Sequence, residues 1–240
     1  MLHSFHLAEL PVRVTARALA RPVRRGEVRG LRHAEPLAMM RLGSPIVSPD
    51  RMQLRRLAMF CAWDDEAALE EFLARHPLGG RLAGGWHVRL EYLRRYGEVA
   101  ALAPLPQRAG DWQPDEPIVA VTLARLRLPE LPRFLRWGRP VERLVAAHPA
   151  TTFSTAAFRP PHTFSTFSIW RTVHEMMDMV HGRDPRVAGA PAHAVAMAEQ
   201  RRREFHHESA FMRFRPVSEH GTWQGRRLVP GRDDDALPQP

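Results

Sequence analysis

The stretch FSIWRTVHEMMDMV (167–180) carries His174 and Asp178, with His181 one residue beyond it. The i, i+4, i+7 spacing puts three metal-ligand types on one helical face, and HEMMD is one residue type away from the HExxH zinc motif. The apolar stripe of the same helix, Met176, Met179 and Val180, has to face a core, with Met176, Met177 and Met179 as fillers beneath a sheet. His174, Asp178 and His181 are thereby turned toward solvent, whereas metal catalysis needs an enclosed cavity. This face reads as an ordinary exposed one. His193 is a different case. It follows Pro191 at the start of HAVAMAEQRRREF, where the helix dipole disfavours imidazolium and leaves a neutral ring able to bind a metal. Periodicity does not settle which way His193 points. His206 and His207, next to Glu208, sit where that helix is expected to end. On residue chemistry alone these three histidines read first as surface or capping groups. The sequence contains no Ser/His/Asp order, CxxC pair, GxGxxG after a strand or Walker motif.

The elements that must position these residues come twice. FCAWDDEAALEEFL (60–73) and FSIWRTVHEMMDMV start 107 residues apart, and both run from Phe through Trp into a helical pattern. LAELPVRVTARALARP (7–22) parallels LARLRLPELPRFLRWG (123–138), WHVRLEYLRRYGEV (86–99) parallels FHHESAFMRFRPVS (205–218), and GDWQP (110–114) parallels GTWQG (221–225). In the second half, strands are expected over 117–127, 151–159, 163–170 and 210–217, with helices over 130–147, 172–182 and 192–208. The order predicts an α+β fold of two tandem ferredoxin-like (βαββαβ) repeats, each covering the other's sheet in a pseudo-dimeric α/β barrel. The first repeat would span 1–112 and the second 113–228, followed by a disordered acidic, Pro-rich tail at 229–240. The segment 101–117 reads as the linker, 74–85 and 181–192 as loops, and 22–36 as a mobile surface loop. Phe153, Phe164 and Phe167 would line a cavity between the sheets.

Composition bounds the partners. The chain has 240 residues, is 44% hydrophobic and 25% charged, and carries a formal charge of +9. All 35 basic residues are arginine, a codon-bias trace as much as a functional one. Their scatter argues against dedicated nucleic-acid binding, while anionic partners such as lipid headgroups stay compatible. Cys61 is the single cysteine, which excludes a disulfide framework and a cysteine metal site. No apolar run is long enough to span a membrane, and the N-terminal residues lack the layout of a secretory signal. A cytoplasmic protein is expected, with peripheral membrane association compatible.

PIVAVTLARLRL (117–128), HTFSTFSIW (162–170), PAHAVAMAEQRRREF (191–205), FMRF (211–214) and GTWQG (221–225), in that order and spacing, resemble the spheroidene monooxygenase family of carotenoid biosynthesis. The likeness covers most of the second repeat and, in the first, LAMFCAW and GDW. It implies a haem-containing oxygenase that uses O2 and an electron donor such as ferredoxin to insert oxygen into an apolar polyene. The products would be hydroxylated and then keto compounds. It also implies the tandem ferredoxin-like fold shared with haem proteins of the dimeric α/β-barrel type, where a helix histidine ligates the iron. His193 matches the family's Pro-His helix, with His206 as the alternative ligand. Arg201, Arg202 and Arg213 would pair with the haem propionates. Phe153, Phe164, Phe167 and Phe205 would supply the apolar walls of the substrate pocket, and no catalytic acid or base is assigned. The chain departs from the family pattern in the 181–192 loop and at His206, which replaces an aromatic residue. A cofactor-free oxygenase of the antibiotic-biosynthesis type, or a non-catalytic protein holding a hydrophobic ligand, would use the same fold. Homo-oligomerisation is compatible with each reading.

Overall fold

The computed structural model describes residues 1–42, 51–184, 187 and 189–231. The first half runs β1 (Leu2–Glu9), α1 (Val12–Ala20), β2 (Leu31–Met40), β3 (Met52–Trp63), α2 (Glu66–Arg75), α3 (Pro77–Ala83) and β4 (Trp86–Glu98). The second runs β5 (Ile118–Leu126), α4 (Leu131–Ala147), β6 (Thr151–Arg159), β7 (Thr163–Trp170), α5 (Val173–His181), α6 (Ala192–Arg202) and β8 (His206–His220). All eight strands pair antiparallel in a closed barrel of order β1-β3-β2-β6-β7-β5-β8-β4. Closure leaves no sheet edge unpaired. The fold is thus mixed α/β, built on one antiparallel barrel.

Strand alternation gives each strand two faces, and both are covered here. One face fills the barrel with Phe5, Leu7, Phe60, Trp86, Phe167, Ile169, Met212 and Phe214, and the rings of Phe5 and Phe167 stack at 3.8 Å. The other face meets the helices. On β3 that outward face is Leu57, Met59, Cys61 and Trp63, which pack with Leu69, Phe72 and Leu82 into a filled layer. This is why LAMFCAW is apolar without a break: every residue in it is buried. At the matching places on β7, 107 positions on, stand Phe164, Thr166, Ser168 and Trp170. Thr replaces Met and Ser replaces Cys, so the outward layer of the second half is less fully packed.

Several expectations shift. The helix predicted to run to 208 stops at Arg202, so His206 and His207 open β8 instead of closing a helix. The 74–85 segment holds α3, started by Pro77 and capped by the His76 side chain. Of the expected loop 22–36, residues 31–36 belong to β2, with Leu31 and Glu35 buried. In the expected tail 229–240, Val229 packs on the barrel core, and residues 232–240 lie outside the described residues.

Candidate active site

A cavity of about 200 Å³ lies between the outward face of the second-half sheet and helices α4, α5 and α6. Its floor is Thr122 on β5, Ser154 on β6, Thr166 and Ser168 on β7, and Arg213 on β8. Phe134, Val141 and Val145 of α4, Met176 and Met179 of α5, and Met197 of α6 form its walls, closed at one end by Phe205 and His206. The space exists because the outward layer carries Thr and Ser where the first half carries Met and Cys. It is also left open by Gly138 on α4, where an added Cβ would meet no atom within 4 Å. The cavity therefore lies outside the barrel, not between the sheets.

Local folding determines how His193 is held. Thr172 caps α5 by accepting from the Glu175 amide at 3.2 Å. Gly182 ends α5 with φ 68°, a left-handed conformation that glycine adopts without strain, and a Cβ there would press on Ala190 and Pro191. The close approach brings the start of α6 against the end of α5. Helix ends leave carbonyls unpaired, and the Val180 carbonyl is one of them. His193 answers it: Nδ1 lies 3.1 Å from the Val180 oxygen, where only an Nδ1–H can donate. In that tautomer Nε2 keeps its lone pair, the arrangement typical of metal-ligating histidines. The His193 pKa is lowered, chiefly by its partial burial, and further by Arg213 and His181, while the Val180 bond opposes the shift. Burial and a neighbouring cation, more than helix position, keep the ring neutral.

Cavity-lining residues of α6 are His193, Ala196, Met197 and Gln200, an i, i+3, i+4, i+7 set that fixes the direction periodicity left open. Arg201 and Arg202 fall on the opposite, exposed side, and Arg202 is bound to Glu199 at 2.6 Å. Of the three arginines expected at propionates, Arg213 alone reaches the cavity. Its guanidinium donates to the Met212 carbonyl at 3.1 Å and forms no ion pair among the described residues. Burial lowers its pKa to about 10. A cation held there without an ion pair can bond an anion that enters the cavity.

His206 is buried, with its ring centroid 5.6 Å from Phe134 and 6.1 Å from Phe205. Its Nδ1 has no hydrogen-bond partner among the described residues, and burial lowers its pKa to about 4. Phe205 is fixed by its backbone N–H, which donates to Gln200 Oε1 at 2.9 Å, and by Arg133 over its ring at 4.9 Å. Phe164 and Phe205 line the cavity. Phe153 does not line it, and Phe167 borders it while its ring lies on the other face of β7. The Phe167 ring is stacked on Phe5 inside the barrel, and Phe153 packs beside Trp86 and Phe167. Strand parity explains this: Phe167 shares its face with Ile169, while Phe164 shares its face with Thr166.

His174 is exposed and paired with Asp178 at 3.3 Å, and His181 is exposed, as the stripe argument required. Among the described residues, no group of three or more His, Cys, Asp or Glu could hold a bare metal ion. Cys61 is fully buried in the first-half layer, and burial raises its thiol pKa far above neutrality. Sequence reasoning missed Phe134, Gly138, Gln200 and the Thr122/Thr166/Ser168 floor. Their signal was present: polar residues on the outward face of a helix-covered strand, and a glycine inside a helix.

No family model matches the chain. The spheroidene monooxygenase of Rhodobacter capsulatus is 28% identical over 177 residues, covering 70% of this chain and 70% of the relative. That of Rubrivivax gelatinosus is 28% identical over 193 residues, covering 74% of this chain and 66% of the relative. The chain resembles the spheroidene monooxygenases. The motif likeness read from the sequence is upheld by both, and together they support an oxidoreductase of the monooxygenase class. The chain spans about two thirds of the length of these curated relatives. Among solved structures, an aldoxime dehydratase in complex with butyraldoxime is 9% identical, covering 90% of this chain and 79% of its own, with TM-score 0.49. An anthrone oxidase-like protein is 13% identical, covering 96% of each chain, with TM-score 0.34. The architecture described above rests on this chain's own strand pairing.

Proposed function

We propose that the protein is a haem-dependent monooxygenase that inserts oxygen into an apolar polyene of the carotenoid type, like the spheroidene monooxygenases it resembles. The observation that carries the reading is one cavity containing a histidine with its Nδ1 tied to a carbonyl and a half-buried arginine with no ion pair among the described residues. Those two groups fit a haem, which needs a neutral imidazole for iron and a cation for a propionate. Haem, when bound, supplies the activation of O2 that side chains cannot perform. His193 would hold the iron through Nε2, with Val180 fixing the ring's orientation. Arg213 would hold a propionate, while Phe134, Phe164, Phe205, Met176 and Met197 would exclude water and accept an apolar chain. His206, neutral at pH 7, would offer a hydrogen-bonding edge inside that apolar surround. Insertion of one oxygen atom from O2 leaves the other to become water, so two electrons must come from a donor protein such as ferredoxin.

A cavity of about 200 Å³ is smaller than the roughly 300–1,000 Å³ of most ligand pockets. The ligand would therefore enter as α6 moves outward, and no residue of α6 is buried. The fold reading that goes with this function is two ferredoxin-like repeats, 1–112 and 113–228. It is supported by strand order: β4-β1-β3-β2 in one half recurs as β8-β5-β7-β6 in the other. No helix among the described residues is long and apolar enough to cross a membrane, and an apolar substrate favours peripheral association with one.

The test is an absorption spectrum of the purified protein reconstituted with haem, beside His193→Ala and His206→Ala. A Soret band that shifts or vanishes only in His193→Ala is the expected result. An unchanged spectrum in His193→Ala refutes the ligand assignment, and failure of the wild-type chain to bind haem refutes the function.

A further inference from the structure

Many arginines of this protein are answered by carboxylates: Arg89 by Glu66 and Glu70, Arg215 by Glu91 and Glu116, Arg125 and Arg159 by Glu35. One region breaks that habit. Between Pro11 and Leu31 the chain carries Arg13, Arg17, Arg21, Arg24, Arg25 and Arg29 against the single carboxylate of Glu27. On α1, Arg13 and Arg17 lie one turn apart on the exposed side, with Arg21 one turn further on, while Thr15 and Ala18 are buried on the other. With Arg24, and with His76 and Arg81 at α3, they line an open groove on the first half. These five arginines are exposed, and none has an ion pair among the described residues. Glu27 is occupied in part by the Arg24 amide, which it accepts at 3.1 Å. The charge continues beyond the groove. Arg55 lies beside Arg13, held there by the Leu10 amide on the Arg55 carbonyl at 2.8 Å, and the carboxylate at that place, Glu9, is paired with Arg56. The chain neighbours of Arg13 and Arg55, Val12 and Leu54, are each 41% exposed.

Clustered like charges repel, so this arrangement gains energy only when an external anion approaches. The charges are spread over a helix, the chain after it and a second helix. None of the five arginines is buried in the way that anchors a shape-specific protein contact. A delocalised sheet of phosphates meets such a pattern without geometric matching, and guanidinium groups bind phosphate oxygens in pairs. Val12 and Leu54 add a small apolar component at one end, as interfacial binding requires. We infer that the α1–α3 face docks the protein reversibly on an anionic phospholipid surface. The inference gives a surface to the peripheral association proposed above, but it stands on the charge pattern and requires neither haem nor turnover.

The experiment is cosedimentation of the full chain with phosphatidylcholine vesicles, with and without about one third phosphatidylglycerol. Binding is expected to the anionic vesicles alone and to be released by high salt, which screens exposed charges. Each arginine near such a surface contributes about a fivefold factor, so Arg13→Gln/Arg17→Gln/Arg21→Gln together weaken binding on the order of 100-fold. A control with the same net charge, Arg75→Gln/Arg108→Gln/Arg227→Gln, removes exposed arginines that already have carboxylate partners and is expected to bind within a few-fold of wild type. Equal weakening by both triple variants overturns the assignment of the face, as does undiminished binding by the α1 variant. Absence of binding to anionic vesicles overturns the membrane. So does retention of the chain by a soluble ferredoxin that the α1 variant alone abolishes, because the groove would then serve a protein. Because no arm reads haem, none of these failures bears on the proposed oxygenase chemistry.

Discussion

Replacing His206 by Phe restores an aromatic pair at 205–206, and its consequences follow from the burial of the imidazole. His206 has an unpartnered Nδ1 next to Phe134 and Phe205, and its pKa is lowered to about 4. Leaving such a nitrogen without a partner costs about 1–3 kcal/mol. Phe removes the nitrogen and keeps an aromatic ring of similar size at a cavity edge, so the ligand-free variant should be more stable by about that amount at pH 7. The pH dependence is the sharper test. A histidine whose folded pKa lies below its unfolded value binds fewer protons when folded. Its effect is small above about pH 6.5 and becomes destabilising as pH falls from 6.5 toward 4. For a shift from 6.5 to about 4, protonation of the unfolded chain costs the native state about 2 kcal/mol at pH 5 relative to pH 7. The variant lacks this term. Urea unfolding at both pH values should therefore show the stability gap widening by about 2 kcal/mol on acidification. A gap that stays constant or narrows would refute the burial argument, and a variant less stable at both pH values would refute the account of the orphaned nitrogen.

Arg213→Met should raise the urea midpoint of the ligand-free protein, because a half-buried cation without an ion pair among the described residues is replaced by a shorter, flexible apolar chain. The same change should weaken haem binding at least tenfold in a spectroscopic titration; unchanged affinity would remove Arg213 from the ligand site. Gly138→Leu places a side chain in space that now holds no atom within 4 Å of its Cβ and also favours the helix by about 1 kcal/mol. It should raise the melting temperature while blocking ligand uptake, and normal binding by a well-folded variant would mean the cavity is not the ligand site.

The barrel was legible from sequence because its signals are long and redundant. β6 runs from 151 to 159 and β7 from 163 to 170, the spans that alternation gave. Helix ends were less legible: α6 stops at Arg202 because the 206–220 segment pairs with both β4 and β5, a tertiary demand that local propensity does not contain. The solvent-facing side of α5 could be read because Met176 and Met179 left one orientation. α6 offered no such stripe, so the direction of His193 emerged only from the turn at Gly182 and the carbonyl of Val180. The rings of Phe153 and Phe167 pack in the barrel core although both were expected at a ligand pocket, because hydrophobicity does not distinguish a barrel interior from a cavity wall. Parity along β7 does so once the interior face is known, and Thr166 and Ser168 then mark the empty side.

The absence of any buried residue in α6 has a thermodynamic consequence. The helix is held by the ion pair of Glu199 with Arg133 at 2.6 Å, by hydrogen bonds from His193 to the Val180 carbonyl and from the Phe205 amide to Gln200, and by partly buried Ala192. Elements with so few apolar contacts open locally at a small fraction of the global free energy. Ordering of α6 and occupation of the site are then one linked equilibrium, and a ligand bound only to the ordered state stabilises it by RT ln(1 + [L]/Kd). Amide exchange in 192–202 would be fast in the empty protein and slow in the loaded one, with the barrel strands nearly indifferent. The helix that carries His193 would thus act as its own occupancy gauge.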